Sequence, residues 1–229
     1  MPWNERSAFD WSLYVILDAD VLAGRDPVEA AKAAIQGGAD VLQYRAKRSA
    51  PRTILAQLER LQPICAEAKV PLIVNDHLDL ALAAQATGVH LGQEDLPLSH
   101  ARHLAGDACW LGRSTHSFAQ AEQAARDGAT YIAVGPVFPT PTKPDAASVG
   151  LALIRQVAPC LTRPWLAIGG IDLTNVEQVL EAGATRVAVV RAVVGASDIE
   201  QATRALKQRL LHNQGVSPPG CNTSPSQRL

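Results

Sequence analysis

Gly128-Ala129-Thr130-Tyr131-Ile132-Ala133-Val134 follows an Ala-rich amphipathic stretch, Phe118 to Asp127, and reads as a helix end passing straight into a strand. Glycine suits the left-handed position after a helix, where a Cβ is penalised. The aromatic and β-branched run behind it favours extended backbone. The same beat recurs at Gly38-Ala39-Asp40-Val41 and Gly183-Ala184-Thr185-Arg186, with a looser copy at Gly88-Val89-His90-Leu91. Working outward from these beats gives eight strands, near 12–17, 41–44, 72–75, 89–92, 110–113, 131–134, 165–168 and 187–190. Helices fall near 27–36, 52–68, 78–86, 98–104, 118–127, 151–161, 173–182 and 198–211. Strict alternation of strand and helix requires parallel strands. The strands are short and apolar on both faces, as in a sheet covered by helices. Eight such units favour an α/β fold closed into a single (β/α)8 TIM barrel, with an open doubly wound sheet as the alternative. The expected organisation is an N-terminal extension at 1–11, a catalytic barrel at 12–212 and a flexible tail at 213–229, where Pro218, Pro219, Gly220 and Pro225 accompany no apolar period.

The 229 residues are 47% hydrophobic and 19% charged, with a formal net charge of -1, which suits a globular chain and gives no electrostatic reason to expect nucleic-acid or anionic-membrane partners. The N-terminus is polar, without a signal-peptide pattern, and the strongest apolar run, 187–194, is interrupted by Arg191. Cys65, Cys109, Cys160 and Cys221 lie far apart with no CxxC or zinc spacing, so they are expected to be thiols in a reducing, cytoplasmic setting.

In a barrel of this kind the chemistry sits where strands end and βα loops converge. The predicted strand ends there are polar: Gln43-Tyr44-Arg45-Ala46-Lys47, Asn75-Asp76-His77, Gly92-Gln93-Glu94-Asp95, Gly112-Arg113-Ser114-Thr115-His116, Gly135 through Lys143, Gly169-Gly170 and Val190-Arg191. Asp76 and Asp95 close adjacent strands. Each alone would serve as a helix N-cap. Together they suit Mg2+, which takes one or two carboxylates and completes its shell with water and substrate phosphate. Arg45, Lys47 and Lys143 place three cations on the same rim, fit for a multiply charged ligand that departs as an anion. Gly169-Gly170 with Val190-Arg191 forms a candidate monophosphate cradle. His90 reads as a core residue, His77 and His116 border the rim without an assigned role, and His100 and His103 fall on a helix surface. The residues alone therefore lead to a magnesium-assisted enzyme handling a diphosphate and a second phosphorylated molecule.

Those stretches, with Gly135-Pro136-Val137-Phe138-Pro139-Thr140-Pro141-Thr142-Lys143 the most specific, resemble the thiamine-phosphate synthase family, in order over about residues 13 to 211. The resemblance implies a transferase that joins a hydroxymethylpyrimidine diphosphate to a (carboxy)thiazole phosphate by dissociative alkyl transfer. It implies that Gln43, Tyr44, Arg45, Ala46, Lys47 and Asn75 bind the pyrimidine diphosphate, and that Asp76 and Asp95 bind Mg2+. Ser114 would hydrogen-bond the diphosphate and Lys143 would neutralise it. Thr140, Pro141 and Thr142 would contact the thiazole, while Gly170, Val190 and Arg191 hold its phosphate. Arg45, Lys47, Ser114 and Lys143 would serve catalysis. Ala46 stands where the family often has an acid, and Arg191 where it often has Ser. A thiazole tautomerase, a silent thiamine-phosphate-binding barrel and a sugar-phosphate isomerase are the rival readings. Oligomeric state stays open, a homo-oligomer included.

Overall fold

The computed structural model describes residues 10–142 and 147–214. Most of the expected N-terminal extension and of the tail, Cys221 and Lys143 lie outside the described residues. Eight parallel strands close into a barrel in chain order. They are β1 (Leu13–Asp18), β2 (Val41–Arg45), β3 (Leu72–Asn75), β4 (Gly88–Leu91), β5 (Trp110–Thr115), β6 (Tyr131–Val134), β7 (Trp165–Ile168) and β8 (Val187–Val189). The helices are α1 (Ala19–Leu22), α2 (Pro27–Gln36), α3 (Pro51–Ala68), α4 (Leu78–Ala83), α5 (Leu98–Ala105), α6 (Phe118–Arg126), α7 (Gly150–Val157), α8 (Val176–Glu181), α9 (Arg191–Val194) and α10 (Ile199–Gln214).

Period-two alternation divides each strand between two apolar layers. Leu13, Val15, Leu17, Leu42 and Tyr44 belong to the outer layer beneath the helices. Tyr14, Ile16, Val41, Ile73, Trp110, Tyr131, Ala133, Leu166 and Ala188 fill the barrel itself. The seam closes where Leu13, Tyr14 and Val15 pair with Val187, Ala188 and Val189.

The helix-stop glycines behave as their sequence implies: Gly38, Gly128 and Gly183 have φ of 97°, 83° and 106°. The looser copy does not. Gln85 takes the left-handed turn after α4, at φ 52°, and shortens that helix. Gly88 lies inside β4, where an added Cβ would stand 2.6 Å from Trp110 Cβ, so its smallness makes room for an interior indole. Helix α8 begins later than expected because Asp172 and Asn175 hold a turn, with Asp172 N–H donating to Asn175 Oδ1 at 2.9 Å and Thr174 N–H to Asp172 Oδ1 at 2.8 Å. Helices α1 and α9 span four residues each, too few to show a period.

The two ends of the barrel chain are tied together. Lys207 Nζ lies 2.6 Å from both carboxylate oxygens of Asp40 and 2.9 Å from Ser12 Oγ, at the opening of β1. Arg25, in the loop after α1, donates to Ala196 O at 2.8 Å and to Val194 O at the end of α9. Cys65 and Cys109 are buried free thiols and Cys160 is exposed. Among the described residues no helix is long and apolar enough to cross a membrane.

Candidate active site

A cavity of about 430 Å3 opens at the carboxyl ends of the strands. Its floor is polar. Gln43 Nε2 donates to Tyr14 OH at 2.7 Å, the Tyr14 and Tyr131 hydroxyls are 2.9 Å apart, and Tyr131 OH is 3.1 Å from His90 Nδ1. His90 Nε2 in turn is 2.9 Å from Ser114 Oγ. His90 is buried, 8% exposed, as expected of a core residue, and it also lines the cavity because its strand parity points it into the barrel. Burial raises the pKa of both tyrosines, so each phenol keeps its proton.

On one wall, Arg45 leaves the end of β2 and pairs with Asp18, the last residue of β1. Asp18 is 1% exposed and also accepts from Asp20 N–H at 3.0 Å and Val21 N–H at 3.2 Å, capping α1. Sequence reasoning missed this acid. Its signal was available, as a carboxylate closing a wholly apolar strand at the active rim.

Asp76 follows β3 directly and adopts φ 64°, a left-handed conformation that aspartate tolerates better than most residues. Its Oδ2 is 3.3 Å from Lys47 Nζ. Burial raises its pKa and the neighbouring Asp95 carboxyl raises it further, with Lys47 opposing. Asp95 Oδ2 accepts from Gly92 N–H at 2.6 Å. The cap alternative fails for both acids: His77 and Pro97 occupy the N-cap positions of α4 and α5, and neither helix has a side-chain cap bond. Among the described residues no group of three or more His, Cys, Asp or Glu side chains could cage an ion. A cation here would take the rest of its shell from water and substrate oxygen, as Mg2+ prefers, and the mutually unfavourable carboxylates fit such an ion. The loop carrying Asp95 is pinned from β5, by Gln93 Nε2 donating to Ser114 O at 2.5 Å and Arg113 NH2 to Gln93 O at 3.3 Å.

The opposite wall is backbone-rich. Thr140, Pro141 and Thr142 line it, and Thr142 Oγ1 is buried without a hydrogen-bond partner among the described residues. Gly169 and Gly170 turn there with φ 105° and 64°. Asn175 Nδ2 donates to Gly170 O at 2.8 Å and fixes that turn. Val190 and Arg191 reach the cavity at the opening of α9.

The structure thus brings Gln43, Arg45, Lys47, Asn75, Asp76, Ser114, Thr140, Pro141, Thr142, Gly170, Val190 and Arg191 to one cavity. Asp95 stands behind Gly92, a lining residue. The side chains of Tyr44 and Ala46 are buried in the outer layer under the helices and do not line the cavity, since the residues between Gln43, Arg45 and Lys47 point the other way, which leaves only their backbone to reach a ligand there. His116 lines the cavity with Nδ1 against Gly135 O.

Residues 13–193 match the family described as thiamine monophosphate synthase. A protein of Chloroflexus aurantiacus named thiamine-phosphate synthase is 47% identical over 199 residues, covering 86% of this chain and 92% of the relative. One of Shouchella clausii with the same name is 46% identical over 195 residues, covering 85% and 93%. The solved thiamine phosphate pyrophosphorylase of Pyrococcus furiosus superposes with a TM-score of 0.83 at 35% identity, covering 90% of this chain and 98% of that one. With the rim residues converging on one cavity and the match spanning all eight strands, the chain belongs to the thiamine monophosphate synthase family.

Proposed function

We propose that this chain, a thiamine-phosphate synthase, joins hydroxymethylpyrimidine diphosphate to a (carboxy)thiazole phosphate in a Mg2+-dependent, dissociative alkyl transfer. The observation that carries this reading is the Asp76–Asp95 pair beside Lys47 on one wall, facing the Gly169-Gly170 turn and the opening of α9 on the other. A wall that would take an anion through Arg45, Lys47 and a bound cation, across the mouth from a backbone-rich glycine turn, suits two phosphorylated substrates.

Asp76 and Asp95 would hold Mg2+, which when bound supplies positive charge to the diphosphate. Arg45 and Lys47 would orient the diphosphate, with Lys143 expected from the sequence beside them. The bond between the pyrimidinylmethyl carbon and the diphosphate oxygen breaks, and its electron pair leaves with diphosphate. The thiazole nitrogen lone pair then forms the new C–N bond, and carbon dioxide departs when the thiazole is carboxylated. Ser114 donates toward the diphosphate. No side-chain nucleophile is required. The protein's part is electrostatic stabilisation of the leaving group and close placement of the nucleophile. The Gly170 turn and the start of α9 would seat the thiazole phosphate.

The test measures diphosphate release with both substrates across a Mg2+ titration, for the wild-type protein and for Asp76→Ala and Asp95→Ala. Each variant is expected to lose about 100-fold or more in turnover with its melting curve retained, the scale of removing one electrostatic stabiliser. Unchanged Mg2+-dependent turnover in both would refute the metal assignment. Isomerisation of the thiazole without diphosphate release would refute the transfer reaction.

A further inference from the structure

We infer that Gln43, Tyr14, Tyr131 and His90 form a one-way line of hydrogen bonds that fixes the imidazole as its Nε2–H tautomer and turns the Ser114 hydroxyl hydrogen into the cavity, as a donor to an anionic substrate. The inference rests on the proposed role of Ser114 as a diphosphate contact. It makes His90 and Tyr131 positioning residues.

The direction is set at the Gln43 end. An amide nitrogen only donates, so at 2.7 Å the Tyr14 oxygen accepts. Tyr14 then has one hydrogen to give, and the Tyr131 oxygen is 2.9 Å away. Tyr131, having accepted, gives its own hydrogen to His90 Nδ1 at 3.1 Å. An Nδ1 that accepts leaves the neutral ring's proton on Nε2. That proton faces Ser114 Oγ at 2.9 Å. The Ser114 oxygen is therefore engaged as acceptor, and its hydrogen remains to be aimed at the cavity that Ser114 lines. The raised pKa of both buried phenols supports one hydrogen on each link.

The line exists because of a missing side chain. In the ladder, Gly112 pairs with His90 on one side and with Tyr131 on the other. An added Cβ at Gly112 would stand 2.5 Å from His90 Nδ1 and closer still to the Tyr131 hydroxyl. The glycine is thus the gap through which a residue of β4 and one of β6 meet across β5. The His90 and Tyr131 rings also stack, with centroids 5.6 Å apart and 30° between planes, which fixes the imidazole's orientation as well as its tautomer.

The test is a long-range 1H–15N correlation spectrum of the full-length protein, with the His90 signals assigned by their loss in His90→Gln. The expected result is a neutral ring protonated at Nε2. An Nδ1–H ring would mean that the line runs the other way, with Ser114 donating to His90, and would overturn the inference. Kinetics supply the second arm. Tyr131→Phe is expected to lower kcat/KM for the diphosphate substrate about tenfold, or about 1.4 kcal/mol, and to have no further effect in a Ser114→Ala background. An equal loss in both backgrounds would make Tyr131 merely structural and overturn the inference. An Nε2–H ring together with a harmless Ser114→Ala would locate the failure in the reading of Ser114 as an anion contact, with the line of donors intact.

Discussion

Replacing Asp18 with Asn removes a charge while keeping the shape of the side chain. The asparagine oxygen retains the bonds that Asp18 Oδ1 accepts from Asp20 and Val21 N–H, so the cap of α1 survives. What changes is the face toward Arg45: an amide N–H meets a guanidinium N–H, and the cation loses its counter-charge. Breaking a fully buried pair costs about 3–5 kcal/mol. Asp18 is 2% exposed at its side chain but Arg45 is 11% exposed and opens onto the cavity, so water relieves part of the penalty and about 2–3 kcal/mol is the expected loss. For a chain of this length that is a fall in Tm of about 4–12 °C. Pyrophosphate, the expected leaving group, then becomes the counter-ion that Arg45 lacks. It should raise the Tm of Asp18→Asn by clearly more than it raises that of the wild-type protein, since stabilisation follows ligand affinity. Differential scanning calorimetry with and without pyrophosphate reads both effects. An unchanged Tm, or an identical pyrophosphate shift in the two proteins, would show that Arg45 does not depend on Asp18 for its charge balance.

Asp76 has a pKa above the ordinary 3.8, so the free protein binds a proton there more readily than the unfolded chain and loses stability as pH rises from the ordinary value through the raised one. Mg2+ needs the ionised carboxylate, so activation by Mg2+ should weaken on acidification earlier than an ordinary aspartate would allow; an apparent Mg2+ affinity constant from about pH 7 down to about pH 4 would contradict this. Gly170→Ala places a Cβ 2.7 Å from Pro139 O at a φ of 64° and should cost about 1–3 kcal/mol of stability, with KM for the thiazole phosphate rising more than KM for the diphosphate; steady-state kinetics with each substrate varied in turn checks it. If Lys143 neutralises the departing diphosphate as proposed, Lys143→Ala should lose more in turnover than in thiazole KM, and wild-type turnover would refute that role.

The barrel was legible because helix-stop glycines at Gly38, Gly128 and Gly183 each precede a strand, a local signal that needs no knowledge of partners. Gly88 carries the same letters for a different reason, close approach to Trp110, and only the register between β4 and β5 reveals it. Most rim residues were legible as polar groups at strand ends. Within the motif Gln43 to Lys47, period-two alternation turns the Tyr44 and Ala46 side chains outward, so a contiguous stretch of letters divides between cavity and outer layer. The chain from Tyr14 to Ser114 was not legible, since its links join residues up to 117 positions apart and depend on a glycine in the strand between. Such a network is a property of barrel register rather than of any motif.

The seam between β1 and β8 has a consequence for unfinished chains. Three residue pairs with β8, the grip of Arg25 on the end of α9 and the loop after it, and the bonds of Lys207 to Asp40 and Ser12 join the two ends of an open ribbon of strands into a ring. A nascent or prematurely terminated polypeptide lacking residues beyond about 186 would leave the Leu13–Asp18 edge bare, its N–H and C=O groups offered to any passing strand. Such a fragment would not be a smaller version of the enzyme; it would be a sticky sheet, and a natural substrate for chaperones and proteases.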